Sequence, residues 1–193
     1  MIKYPNGEIY KKDNKPKKKT IISASNRGMN LEEDINISNE YYINENIALI
    51  TKRPTPINVV KVDYSRGARI IDAYFEKQST TDYNGVYKGK YIDFEAKNTK
   101  NRASFPLSNI YPHQINHLKK VIAHGGIAFF IVEFQTVEKI YLLDASYVID
   151  FYENGDRKSI PLQCFIDNGI EIEIGYNPRL DYIKAVDEKY FNS

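Results

Sequence analysis

Asp82, Glu95 and Lys97 carry the sharpest chemical signal in this sequence. Residues 91–97, Tyr91-Ile92-Asp93-Phe94-Glu95-Ala96-Lys97, alternate so that Ile92, Phe94 and Ala96 form an apolar face while Asp93, Glu95 and Lys97 point the other way, which predicts a half-buried strand. With Lys88-Gly89 as a two-residue turn, Asp82 faces Glu95 across a hairpin and Thr80 faces Lys97. Two carboxylates opposed at cross-strand distance repel, and a divalent cation between them removes the conflict. Oxygen ligands favour Mg²⁺, with Mn²⁺ as a substitute, over zinc, and a lysine just past the second carboxylate can contact a phosphate or steady an attacking hydroxide. This is the equipment of phosphodiester hydrolysis. Asn84-Gly85 is the rival turn, and the stronger two-residue hairpin signal; it would pair Asp82 with Tyr87 instead.

The elements that must position these residues follow from pattern. Asn30 to about Asn44 reads as a helix, with Leu31, Ile35 and Tyr42 on one side and Asn30 with Glu33 as a capping box. A short strand, Ile47 to Thr51, precedes Lys52-Arg53-Pro54-Thr55-Pro56, whose prolines forbid a helix. The β-branched run Ile57 to Tyr64 reads as a strand, broken by Ser65-Arg66-Gly67-Ala68. Arg69 to Phe75 fits a strand or a helix. A projecting hairpin or strand-helix arm would place Arg66 and Arg69 at a cationic tip; an ordinary core hairpin with a polar turn is the alternative. Pro112 opens a helix with Ile115, Leu118 and Ile122 apolar and Gly125-Gly126 ending it, so Gln114 lies in the first turn, facing the metal cluster or solvent. His113 and His117 stand at i and i+4, but without a neighbouring Glu or a nearby third ligand they read as surface or core histidines rather than a zinc pair. Ile127 to Phe134 and Lys139 to Ala145 read as central strands and Pro178 to Phe191 as a closing helix, while Asn154 to Asn168 is irregular. Together these imply an α/β chain.

Bulk properties narrow the class. A chain of 193 residues suits one well-cored domain. The longest unbroken apolar run, Ile127 to Val132, is far too short to cross a membrane, and no apolar leader precedes the lysines, so the expectation is a cytoplasmic protein without a membrane partner. One cysteine, Cys164, makes neither an internal disulfide nor a multi-cysteine zinc site. The net charge is +2, but residues 1–20 hold seven lysines against Glu8 and Asp13, so this arm is +5 and the rest of the chain −3. Such an arm fits a phosphate-binding tail or a solvated terminus.

The spacing of several short motifs resembles the RecU family of bacterial Holliday-junction resolvases. The motifs are Ser25-Asn26-Arg27-Gly28-Met29, Lys52-Arg53-Pro54-Thr55-Pro56, Ser79-Thr80-Thr81-Asp82-Tyr83-Asn84-Gly85 and Tyr91 to Lys97, then Ser104-Phe105-Pro106-Leu107, His113-Gln114 and Gly175-Tyr176-Asn177-Pro178-Arg179-Leu180-Asp181-Tyr182-Ile183. The resemblance implies an α/β, restriction-endonuclease-like core with a mixed central sheet flanked by helices and a projecting stalk over about residues 54–75. It implies one nuclease domain over 26–193, and the charge of the lysines marks 1–25 as a basic flexible arm before it. It further implies a homodimer that nicks two strands of a four-way DNA junction with Mg²⁺, in recombination and repair. Carried over by position, Asp82 and Glu95 match the metal-binding carboxylates, Thr80 and Gln114 further ligands, and Lys97 the lysine that stabilises the transition state. Glu32 falls where related resolvases place a catalytic Glu, with Glu33 an equally close neighbour. Arg27, Arg53, Lys61, Arg66 and Arg69 are the expected DNA contacts, and a branch-migration helicase and a recombinase are candidate partners. The competing classes are another endonuclease of the same core acting on duplex DNA and a non-catalytic junction-binding protein.

Overall fold

The computed structural model describes residues 30–76 and 80–192; the lysine arm, Arg27 and the Ser25–Met29 motif lie outside them. In chain order the elements are α1 (Leu31–Asn44), β1 (Leu49–Lys52), β2 (Ile57–Asp63), β3 (Arg69–Phe75), β4 (Tyr83–Tyr87), β5 (Lys90–Thr99), β6 (Ser104–Pro106), α2 (Pro112–Ala123), β7 (Ile127–Phe134), β8 (Lys139–Asp144), α3 (Ala145–Asn154), β9 (Ser159–Pro161), α4 (Leu162–Asn168), β10 (Ile170–Glu171) and α5 (Tyr182–Tyr190). Six strands form one mixed sheet in the order β1-β4-β5-β7-β8-β10. Only β5 and β7 run parallel, joined through α2, and every other neighbour is antiparallel.

β7, apolar at almost every position, needs cover on both faces and gets it. Phe129 and Ile131 pack with Ile92, Phe94 and Ala96 of β5 beneath α1 and α5. Phe130, Val132 and Phe134 turn to the opposite layer with Ile115 and Leu118 of α2, Val148 of α3 and Phe165 of α4. The register sets Asp93 beside Ala128, Glu95 beside Phe130 and Lys97 beside Val132, so the polar face of β5 lies in this second layer. The expectation of a half-buried strand is therefore corrected. Asp93 and Glu95 are fully buried, because β5 is an interior strand with a helix layer on each side.

The turn between β4 and β5 is Lys88-Gly89, both with positive φ (46° and 74°), and Tyr83 faces Phe94 through to Tyr87 facing Lys90. Asn84-Gly85 sits inside β4, where glycine serves packing: a Cβ on Gly85 would lie 2.0 Å from the Leu49 carbonyl oxygen of β1. The ladder ends at Tyr83–Phe94, so Asp82 lies one residue beyond it and the expected opposition of Thr80 to Lys97 is not part of the pairing. Arg69–Phe75 is a strand, pairing with β2 as a separate two-stranded hairpin.

Other expectations need correction. α1 starts at Leu31 as the pattern predicts, but Asn30 makes no side-chain cap, so the capping box is absent. The strand expected over Ile47–Thr51 is Leu49–Lys52, because the chain after α1 turns through Asn46 at φ 57°. The span read as irregular, 154–168, contains β9 and α4, and α3 was unforeseen; β9 owes its existence to pairing with β6, a contact distant in sequence. The closing helix begins at Tyr182, not Pro178, because Asp181 caps it and Leu180 is held in a bridge with Ile174.

This last segment acts as a clasp. Arg179 Nε lies 3.0 Å from Asp34 Oδ1, Tyr42 donates to the Leu180 carbonyl at 2.9 Å, and the Leu180 N–H donates to Ser38 Oγ at 2.7 Å. All three α1 partners are buried. Arg179→Ala would strand the Asp34 carboxylate and is expected to cost about 3 kcal/mol, read as a lowered urea midpoint at unchanged slope. An unshifted midpoint would show that the clasp adds nothing.

Candidate active site

β5 and the chain leading into β4 bring Asp82, Glu95 and Lys97 together. Glu95 is 0 % exposed, Asp82 is half-buried, and the Asp82 carboxyl lies near enough to act on that of Glu95. Burial is the main reason that the Glu95 carboxyl is pushed up to about 9; the neighbouring Asp82 carboxyl pushes the same way and Lys97 opposes it. Lys97 Nζ lies 3.1 Å from Glu95 Oε2. That ion contact lacks hydrogen-bond directionality, and Oε2 has no hydrogen-bond partner. On the other oxygen, Gln114 Nε2 donates to Oε1 at 2.6 Å, while Gln114 Oε1 accepts from the Tyr111 backbone N–H at 3.0 Å. Gln114 is thus both helix cap and orienter of Glu95, and sits in the first turn of α2 as the proline signal predicts.

A buried carboxylate that has Lys97 beside one oxygen without a directed hydrogen bond, and that is pressed against a second carboxyl, gains from a proton or a further cation. Among the described residues no group of three or more His, Cys, Asp or Glu side chains converges as a metal cage. A cation here would rest on Asp82 and Glu95 with neutral oxygens, Thr80 being near in the chain. Hard oxygen donors of that kind fit Mg²⁺ or Mn²⁺.

The other expected residues are spread more widely. Glu32 pairs with Lys52 at 2.5 Å on the side of the sheet where α1 packs, and its charge, with that of Asp82, raises the Tyr83 phenol after burial. Glu33 is exposed, which separates the two glutamates. Arg66 is exposed at the tip of the β2–β3 hairpin; Arg69 faces Asp63, and Lys61 faces Asp72. Arg53 turns inward instead. Its guanidinium donates to Asp93 Oδ2 at 2.6 Å and to the Tyr91 hydroxyl at 2.8 Å.

Asp93 is the residue that sequence reasoning passed over. It accepts from Thr81 Oγ1, Arg53 and Tyr91, and His117 Nε2 lies 2.9 Å from its Oδ2. The available signal was a second acid two positions before Glu95 on the same face. Once that face is buried, the acid demands a cation, and Arg53 and His117 supply the polar partners.

Comparison with known proteins gives a consistent answer. The family model described as Recombination protein U (RecU) matches residues 26–188. Proteins from Bacillus cereus (strain AH820), Bacillus anthracis (strain A0248) and Bacillus thuringiensis subsp. konkukian (strain 97-27), each named Holliday junction resolvase RecU, are 52% identical to this chain. Each alignment covers 99% of this chain and 99% of the relative.

The Glu95 carboxyl gives a pH prediction with a defined sign. Its ordinary value is 4.5 and its folded value about 9, so between these the folded protein holds a proton that the unfolded chain releases. Metal-free stability is then highest at the low end of that window and falls as pH rises through it, by up to about 1.4 kcal/mol per pH unit. Urea midpoints in EDTA from about pH 5 to about pH 9 should fall for the wild type and flatten in Glu95→Gln. Equal slopes in the two proteins would contradict the assignment.

Proposed function

The chain belongs to the RecU family, and on that premise we propose that it is a Mg²⁺-dependent endonuclease that resolves four-way DNA junctions by paired symmetric nicks. The observation that carries the reading is the buried Glu95 carboxyl, pressed against Asp82 and flanked by Lys97, with one oxygen lacking a hydrogen-bond partner. On this reading Asp82 and Glu95 hold the cation with Thr80, and Gln114, expected as a further ligand, instead fixes the orientation of Glu95, since its amide oxygen accepts from the Tyr111 N–H and its amide nitrogen donates to Glu95. A bound Mg²⁺ or Mn²⁺ would supply Lewis acidity at the scissile phosphate and a nucleophile at neutral pH. Lys97, 18 % exposed and already beside Glu95, offsets charge on the phosphate as it develops. Glu32 stands at the margin and orders Lys52 next to the root of the hairpin.

The restriction-endonuclease-like core is part of the proposal, supported by a mixed sheet whose interior strand carries the acids and the lysine. The hairpin serves as the stalk. Ile57, Val59, Ile70, Ile71, Tyr74 and Phe75 are all exposed on it, and a two-stranded hairpin with such a surface gains by being covered. That favours a homodimer. A two-fold pair of sites suits a junction whose arms are related by pseudo-symmetry. Arg66, Arg69 and Lys61 contact phosphates, and Arg27 and the lysine arm, 1–25, add backbone attraction that is independent of sequence. A cavity of about 710 Å³ lined by Glu171, Pro178 and Lys184 lies at the β10 edge, away from the β4 side that carries Asp82, and takes no part. No helix among the described residues is long and apolar enough to cross a membrane, and a cytoplasmic location on DNA, beside a branch-migration helicase and a recombinase, completes the proposal.

The test uses a labelled four-way junction and a linear duplex of the same sequence, in Mg²⁺ and in EDTA. The wild type is expected to place symmetric nicks in the junction alone and only with Mg²⁺. Asp82→Ala should bind the junction and leave it intact, and Lys97→Ala should slow single-turnover nicking roughly 100–1000-fold with little change in junction affinity. Tight junction binding without cutting in Mg²⁺ or Mn²⁺ would make the protein an architectural binder.

A further inference from the structure

Asp93 does more than neutralise a buried arginine. Its Oδ1 accepts from Thr81, the residue immediately before Asp82. Its Oδ2 accepts from Arg53, whose own backbone N–H donates to the Asp82 carbonyl at 2.8 Å. Asp82 is therefore held from both sides, by side chain through Thr81 and by backbone through Arg53, and each hold ends on the same carboxylate. Asn84, the residue opposite Asp93 in the hairpin register, accepts from Arg53 Nε at 3.2 Å and fixes the guanidinium in its plane.

The third tie runs to α2. His117 meets Asp93 Oδ2, and one helical turn earlier on α2 Gln114 donates to Glu95. Two residues on α2 thus engage two residues on β5, so the helix that orients Glu95 is registered against the strand by Asp93. Arg53 also directly precedes Pro54, where the chain leaves the sheet for the hairpin. Asp93 touches neither of the candidate metal-holding oxygens of Glu95 nor those of Asp82 in any of these contacts.

We propose that Asp93 is a positioning residue: one buried carboxylate that sets the placement of Asp82, the registration of α2 over Glu95 and the seat of Arg53 at the root of the hairpin. This rests on the reading of Asp82 and Glu95 as the cation site. Groups that orient metal-holding side chains typically contribute 10–100-fold in metal affinity or activity. Asp93→Asn keeps the shape of the side chain and removes the charge that Arg53 pairs with, so Asp82 and its neighbours lose their common anchor.

The experiment compares wild type, Asp93→Asn, Asp93→Glu and Arg179→Ala as purified full chains. Arg179→Ala is destabilised from the opposite layer of the fold and serves as the comparator for stability alone. Mn²⁺ affinity is measured by calorimetry without DNA, and junction nicking is followed in a single turnover across a Mg²⁺ series, at a temperature where circular dichroism shows each variant folded. Asp93→Asn is expected to weaken Mn²⁺ binding and raise the Mg²⁺ requirement roughly 10–100-fold, with junction affinity in EDTA retained. Asp93→Glu, which restores charge at the wrong reach, should not recover either value, and Arg179→Ala should match the wild type in both. Wild-type Mn²⁺ affinity in Asp93→Asn, or an equal loss in Arg179→Ala, would overturn the proposal. A wild type that binds Mn²⁺ and nicks no junction would overturn the function alone, since the Mn²⁺ affinities still decide the role of Asp93.

Discussion

Two acids buried two residues apart on one strand are the constraint around which this chain is arranged. Asp93 and Glu95 are both fully inaccessible, and each would be costly as a bare charge in that layer. They are accommodated differently. Asp93 receives a guanidinium, two hydroxyls and an imidazole, drawn from β5 itself, from segments flanking β1 and β4, and from α2. Glu95 receives one amide donor and an off-axis lysine, which leaves an oxygen without a hydrogen bond and its carboxyl inclined to keep a proton. The first arrangement is complete within the protein; the second leaves Glu95 Oε2 without a hydrogen-bond partner, which is the opening that the proposed cation would fill.

The rest of the fold can be understood as making that asymmetry affordable. The α1–α5 face of the sheet is apolar and stacked: Phe94 lies against Tyr83 at 4.9 Å and Phe129 at 4.7 Å between ring centroids. This face anchors β5 from behind, so that its other face can be spent on charged side chains. The Arg179–Asp34 pair and the Tyr42 hydroxyl fasten the carboxy-terminal segment over the same layer. β4 and β8 flank β5 and β7 in the sheet, so neither central strand has an open edge, and β1 and β10 lie outside them.

Much of this was legible in the sequence, and the gaps have physical causes. Strict alternation gave β5, an unbroken apolar run gave β7, and Pro112 with the paired glycines gave α2, because each depends on local pattern alone. The Lys88-Gly89 turn placed Asp82 next to Glu95, although Asn84-Gly85 is the stronger turn signal in isolation; what decides between them is the approach of β1 to Gly85, which no local reading contains. Burial of the polar face of β5 was missed for the same reason, since alternation looks the same whether a helix or water covers the charged side. Asp93 went unnoticed because its importance lies in partners 12 to 40 residues away in sequence. β9 was likewise set by tertiary pairing with β6, whereas α3 carried local signals, an apolar stripe at helical spacing and Asp144 capping the Ser146 N–H.

The claim on which everything else rests is that Glu95 exchanges a proton for a cation. Calorimetric titration of the metal-free protein with Mn²⁺ at neutral pH, repeated in buffers of different ionisation enthalpy, measures the protons released per ion bound. A cation seated between Glu95 and Asp82 should release about one proton in the wild type and markedly fewer in Glu95→Gln. Mn²⁺ binding with no proton release, or with the same release in Glu95→Gln, would place the metal elsewhere and remove the chemical basis for this site.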